Sequence, residues 1–380
     1  MSDSLHIVMA LNYYAPYVSG LTEAARLVAE ELVVRGHHVT VVATQHDRAL
    51  PREETIDGVH VVRTPVVARI GKGVISPSFV PTVARLSRDA DVLNLHMPML
   101  ESGAIAMSAR SVPTVLTYQC DIALPSGLLN RIQSAAMDAS NGRAMKTAAA
   151  IVPSSLDYAR SSRLRERMSD ARTLEISPPT RLLPVGDPTF RETTGLHVGF
   201  LGRLVEEKGI EYLVDGFRAF DDPDARLLIA GDYAKVAGGS VIERVREHIG
   251  DDDRIRVLGF LPDDQLADFY ASLDVFALPS INSFEAFGIV QVEAMKLGVA
   301  ALASDLPGVR IPVQRTGFGR IVRRRDAGDV TAALRELSAD MPDSTEGAAA
   351  ANREYGLAKT TDEYEALFRR VVAGGPATET

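Results

Sequence analysis

The chain holds a single cysteine, Cys120, which leaves no partner for an internal disulfide and no set of thiolates for a metal. Tryptophan is missing altogether, and only six of the 41 basic residues are lysine, which we take as compositional bias. Long apolar runs are missing too. None reaches the roughly 18 residues that a membrane span needs, and no signal-like segment precedes His6. A cytoplasmic protein is expected. A net charge of −9 argues against wholesale nucleic-acid binding. That charge is uneven, with 19 Lys+Arg against 17 Asp+Glu over residues 1–185 (net +2) and 22 against 33 over the rest (net −11). The relatively basic first half suits an anionic acceptor or peripheral contact with the inner face of a membrane, and equally suits ordinary surface scatter.

What is present is alternation. At 380 residues two domains are the expectation, and 46% hydrophobic residues can fill two cores. Short apolar runs read as strands at His6–Leu11, His38–Ala43, Val59–Arg63, Asp91–Leu95, Thr114–Tyr118 and Ala149–Val152. A second series follows at Leu196–Leu201, Arg226–Ala230, Arg254–Leu258, Asp274–Leu278, Val299–Ala303 and Phe318–Val322. Helical spacing lies between them, as in Gly20–Arg35 with Leu21, Ala24, Val28 and Leu32. Runs such as LLIAG suggest strands covered on both faces, so the class is α/β with parallel sheets. The pattern occurs twice, around a proline-rich break at Ser177–Pro188. This predicts two Rossmann-like domains, 1–185 and 190–350, facing across a cleft, with ligands beyond the carboxyl ends of the strands. Ser338–Ala350 reads as loop, and Glu354–Val372 as a final helix.

Three segments carry chemistry. PSINSFEAFGIVQVEAM (Pro279–Met295) follows a strand and becomes a helix, with Glu285 in the loop and Glu293 in the helix. Between them, Ala286, Phe287, Gly288 and Ile289 sit where a helix start leaves N–H groups without internal partners. Carboxylates beside free N–H groups suit a ligand that is anionic and rich in hydroxyls, such as a nucleotide sugar. Gly202, Arg203 and Lys208 follow another strand and bring two cations to one loop, which suits a diphosphate. In the first half, Ser19 and Gly20 open a helix after YYAPYVSG and offer a second phosphate contact or a plain N-cap. His96 ends a strand at the expected ligand edge, where it could serve structure as readily as binding. Gln119 and Asp121 follow the next strand, and Asp121 could accept a hydrogen bond from a sugar hydroxyl. The triplet Asp251–Asp253 looks acidic enough for a metal but reads as a solvated turn, so no metal or other cofactor is expected.

Together these segments resemble the retaining glycosyltransferases of family four, the group 1 glycosyltransferases, which have the GT-B fold. The resemblance rests on E-x(7)-E at Glu285–Glu293 and the G-R-L-x(3)-K-G loop at Gly202–Gly209. The glycine loop ending at Gly20, DGVHVVR at Asp57–Arg63 and VLGFLPDDQLADFYASLDVFALPS at Val257–Ser280 support it. It implies that the second domain binds the donor and the first the acceptor, with a last helix crossing back to the first. It further implies that Arg203 and Lys208 hold the donor diphosphate, that Glu293 bonds the ribose, and that Glu285 with the Phe287 and Gly288 N–H groups binds the sugar. Backbone around Phe260 and Leu261 would border the base. UDP or GDP is the expected nucleotide, and the acceptor a hydroxyl of a glycolipid, polysaccharide intermediate or natural product. The chain departs from the family at Gln119, where a histidine is usual, at Pro178-Pro179-Thr180 in place of P-N-G, and at Val18-Ser19-Gly20 in place of paired glycines.

The implied reaction breaks an anomeric C–O bond, with cations stabilising the leaving phosphate. By the resemblance the configuration is retained. Glu285 and Glu293 as a glycosidase pair would need to flank one bond, and the adjacent cations favour a phosphate leaving group instead. A nucleotide-sugar epimerase on the same fold, or a non-catalytic nucleotide-sugar-binding subunit, remain the alternatives. A dinucleotide dehydrogenase fails because no G-x-G-x-x-G follows His6–Leu11.

Overall fold

A computed structural model describes residues 4–70, 73–122, 127–233 and 239–378. The chain divides into two compact units, Met1–Pro179 with Leu357–Thr380, and Thr180–Gly356.

The first unit runs β1 (His6–Ala10), α1 (Gly20–Val34), β2 (His38–Gln45), β3 (Glu53–Ile56), β4 (Val59–Pro65), β5 (Ala68–Ile70), β6 (Gly73–Ile75), α2 (Phe79–Leu86), β7 (Val92–Met97), α3 (Ser102–Ser108), β8 (Thr114–Tyr118), α4 (Leu128–Thr147), β9 (Ala150–Pro153) and α5 (Leu156–Ser161). Seven strands form one sheet in the order β3-β4-β2-β1-β7-β8-β9. All pairings are parallel except β3 with β4. The β3–β4 hairpin, which strand periodicity did not reveal, turns at Asp57-Gly58. Both residues have positive φ (47° and 81°), the backbone that a two-residue hairpin requires. β7 and β8 are buried along their whole length, as strands covered on both faces must be.

The second unit runs β10 (His197–Leu201), α6 (Ile210–Arg218), β11 (Arg226–Ala230), α7 (Ile242–Ile249), β12 (Ile255–Gly259), α8 (Leu266–Ala271), β13 (Val275–Leu278), α9 (Ile289–Lys296), β14 (Ala300–Ser304), α10 (Ile311–Thr316), β15 (Gly319–Val322), α11 (Ala327–Ala339) and α12 (Ser344–Tyr355). Its six strands are all parallel, in the order β12-β11-β10-β13-β14-β15. The order reverses direction between β10 and β13, and both strands end in the loops that carry the candidate site.

Helix α12 overturns the expected loop over Ser338–Ala350. Only residues 340–343 lie outside a helix, and the second half of the segment is rich in alanine, the strongest helix former. Asp343 caps the helix, accepting from the Glu346 N–H at 2.8 Å. Gly347 lets it approach Phe318, whose ring lies 2.3 Å from where a Cβ would stand. The last helix, α13 (Leu357–Val372), starts at Leu357 and belongs to the first unit. There it buries Tyr364, Leu367, Phe368 and Val371 with Val28, Leu32 and Ile7. Arg35 ties it to α1 through Asp362 (2.5 Å) and Glu365 (3.3 Å).

Candidate active site

In the second unit three strand ends are stitched together by glycines. Gly202 N–H donates to the Ala230 carbonyl (3.1 Å) and Gly231 N–H to the Gly259 carbonyl (2.7 Å). A Cβ on Gly231 would stand 1.7 Å from the Gly202 carbonyl oxygen, so the two backbones pass at a distance only glycine permits. After Gly202 the chain makes a short turn at Glu206–Lys208 and enters α6 through Gly209, whose φ is +62°.

The loop that leaves β13 lies against this turn. Ile281 N–H donates to the Glu207 carbonyl at 2.9 Å, and a Cβ on Gly209 would meet the Pro279 carbonyl at 2.5 Å. β10 and β13 are sheet neighbours, so residues 77 positions apart meet here. Lys208 Nζ stands 2.5 Å from Glu285 Oε2, with both side chains mostly buried. Arg203 is more exposed and lies 3.6 Å from Glu207. Gly288 caps α9 in the left-handed region (φ 82°), and a Cβ there would strike Leu278 at 2.2 Å.

A side chain that sequence reasoning missed fixes this loop from below. Gln291 is fully buried and donates to the carbonyls of Phe287 (2.7 Å) and Val309 (2.8 Å). Ala286 and Phe287 are themselves buried, and the Phe287 ring packs edge-on against Tyr355 at 5.6 Å. Their side chains therefore anchor the loop, and only their backbone can serve a ligand.

Glu293 lies one turn into α9, 3% exposed. Its Oε1 accepts from Arg181 Nε (3.2 Å) and its Oε2 from the Tyr270 hydroxyl (3.3 Å), while Arg181 also reaches Asp263 (3.3 Å). Burial pushes the Glu293 carboxyl above its ordinary range, and Arg181 opposes that rise. Burial lowers the neighbouring Lys296 ammonium, which donates to Thr180 at 3.0 Å. Arg181 stands in the segment read as linker, 112 positions from Glu293, and no local pattern marked it. Leu261 is a core residue, whereas Phe260 beside it is exposed.

In the first unit Ser19 and Thr22 form a reciprocal capping box at the start of α1. Ser19 N–H donates to Thr22 Oγ1 at 2.9 Å, and Thr22 N–H donates to Ser19 Oγ at 3.3 Å. The Ser19 side chain is thus committed to the cap, while Gly20 is exposed at the first helical position. At the carboxyl ends of β7 and β8 the structure pairs His96 Nδ1 with Gln119 Nε2 at 3.5 Å. His96 is buried, its Nε2 has no hydrogen-bond partner among the described residues, and burial holds its pKa down to about 4.

Asp121 requires a correction. Its carboxylate is buried and already accepts from the Tyr118 hydroxyl, from Ser162 Oγ (2.8 Å) and from the Arg163 N–H (3.2 Å). Three donors converging on a buried carboxylate make Asp121 the organiser of this corner, with its N–H donating to the Tyr158 hydroxyl (2.6 Å), rather than an open acceptor for a sugar. The Asp251–Asp253 triplet is a turn in which Asp252 pairs with Arg254 at 2.7 Å.

Comparison with known proteins bears on the family and the fold. The family model for glycosyl transferases group 1 matches residues 188–354, and the one for the glycosyl transferase 4-like domain matches residues 19–179. A GDP-mannose-dependent alpha-mannosyltransferase of Corynebacterium glutamicum is 28% identical over 324 residues, covering 80% of this chain and 73% of the relative. A phosphatidyl-myo-inositol mannosyltransferase of Mycolicibacterium smegmatis is 28% identical over 342 residues, 87% of this chain and 84% of the relative. Sucrose-phosphate synthase from Thermosynechococcus elongatus superposes with a TM-score of 0.78 at 19% identity, covering 98% of this chain and 100% of the other. Anabaena Alr3699/HepE, solved in complex with UDP-glucose, gives 0.71 at 16% identity over 97% and 100% of the two chains. At such identities the structural likeness speaks for the fold, which is GT-B.

Proposed function

The chain belongs to the group 1 glycosyltransferases, transferases that use nucleotide sugars, and on that premise we propose a retaining, metal-independent enzyme moving a hexosyl group to a hydroxyl acceptor. The observation that carries this reading is the meeting of Lys208 and Glu285 at two adjacent strand ends of the second unit. A cation for phosphate and a carboxylate for hydroxyls stand within one ligand's reach, beside the start of α9.

In this reading the second unit binds the donor. Lys208 and Arg203 hold the diphosphate, Glu285 and the Gly288–Ile289 backbone hold the sugar, Glu293 bonds the ribose through the lone pair that each oxygen keeps beside its single donor, Arg181 or Tyr270, and the backbone around Phe260 borders the base. The first unit takes the acceptor, with Gly20, His96 and Gln119 as its candidate contacts. As the anomeric C–O bond to phosphate breaks, positive charge develops on the sugar and negative charge on the leaving oxygen. The two cations stabilise that oxygen. The acceptor oxygen forms the new bond on the same face, and its proton passes to the departing phosphate. Both relatives described above are named for mannosyl transfer, the Corynebacterium glutamicum one for GDP-mannose. GDP-mannose is accordingly the first donor to try and UDP sugars the second. A lipid-linked acceptor, with peripheral membrane contact through the first unit, fits a unit that carries 21 Lys+Arg against 21 Asp+Glu and so, unlike the acidic second unit, would not be repelled by an anionic surface.

The test is transfer from GDP-mannose and UDP-glucose to a panel of glycolipid and polyol acceptors in chelator, with product configuration read by NMR. The expected result is an α-linked product formed at an undiminished rate in chelator. An inverted product removes the retaining assignment, and loss of activity in chelator removes metal independence. Donor binding without transfer to any acceptor would favour the non-catalytic subunit.

A further inference from the structure

The site neutralises its own phosphate cations. Lys208 is held at 2.5 Å by Glu285, and Arg203 lies 3.6 Å from Glu207. The carboxylate cannot withdraw far. Its loop is tied at one end by the Ile281 N–H on the Glu207 carbonyl and at the other by Gln291 on the Phe287 carbonyl. Glu285 therefore remains beside whatever occupies Lys208.

We propose that Glu285 discriminates between the intact donor and the spent nucleoside diphosphate, disfavouring the latter by charge. The inference rests on the donor reading above. An intact donor brings sugar hydroxyls, which give the carboxylate new hydrogen-bond donors as the diphosphate takes over Lys208. The spent diphosphate brings none. Its terminal phosphate also carries roughly one further negative charge near neutral pH, because its second ionisation lies near 6. Glu285 is then left next to a like charge it cannot leave, in a partly buried setting where such pairs are weakly screened. The same contact that competes with phosphate for Lys208 thus speeds departure of the product.

The experiment is calorimetric titration of wild type, Glu285→Gln, Glu285→Ala and Lys208→Ala with GDP, GDP-mannose, UDP and UDP-glucose. Both Glu285 variants are expected to bind the diphosphate about tenfold tighter, and the matching sugar nucleotide no tighter than wild type does. An unchanged ratio of the two affinities overturns the inference, as does tightening in Glu285→Gln alone, which would reflect a new amide contact. Lys208→Ala separates the two levels. It should lose both ligands; if it binds the diphosphate as wild type does, the donor reading itself fails. No binding of any of the four ligands to wild type overturns both.

Discussion

Lys208 is the residue on which turnover should depend most. It is mostly buried, is held by Glu285, and is placed by a turn that its removal leaves intact. Lys208→Ala should lower kcat by roughly 10²–10³-fold, with a thermal midpoint within a few degrees of wild type, read by steady-state kinetics and a melt. Arg203→Ala should lose less, because its side chain is more exposed and better screened. His96 makes a different prediction. An unfolded imidazole titrates near 6.5, whereas burial holds this one neutral down to about 4. Between those values the unfolded chain binds more protons than the folded one, so stability falls as pH drops from about 6.5 to about 4, by up to roughly 3 kcal/mol. Urea melts at pH 7 and pH 4.5 should show this loss, and His96→Asn should lose most of the slope. Equal slopes in the two proteins would mean that His96 is not buried neutral.

At the scale of elements, two loops meet because β10 and β13 are adjacent and glycine makes each loop compact. Gly288 opens α9 with positive φ, and its missing Cβ leaves room for Leu278 and Gln291. Gly288→Ala should cost about 1–3 kcal/mol through backbone strain and the clash. It should also weaken donor binding at least tenfold by shifting the backbone that faces the ligand, which denaturation and titration together would measure. An unaltered affinity would place the ligand away from this helix start. Gln291 makes the same point from beneath, since one buried amide holds the carbonyls of two separate loops.

At the scale of the molecule, each unit has its own sheet and core. A donor at a hundredfold excess over its Kd should add about 2.7 kcal/mol to the unit that binds it. Hydrogen exchange should then slow around residues 202–209 and 285–293 of the second unit, and protection confined to the first unit would reverse the donor assignment. The sequence alone determined the class of fold. Strands such as Leu227–Ala230 and Val275–Leu278 are continuously apolar because helices cover both faces, and that signal is local. The E-x(7)-E and G-R-L-x(3)-K-G segments were legible for the same reason, each being confined to one strand end and its helix. Helix α12 was misread although its signal was also local, because small residues suggested loop while alanine favours helix. The partnerships were decided by tertiary structure alone. That Lys208 meets Glu285, that Arg181 holds Glu293 and that Asp121 is closed in by Ser162 depends on strand order and on side chains 41 to 112 positions apart. Periodicity and spacing within a segment carry no record of such distances, because only the packed sheet brings those ends together.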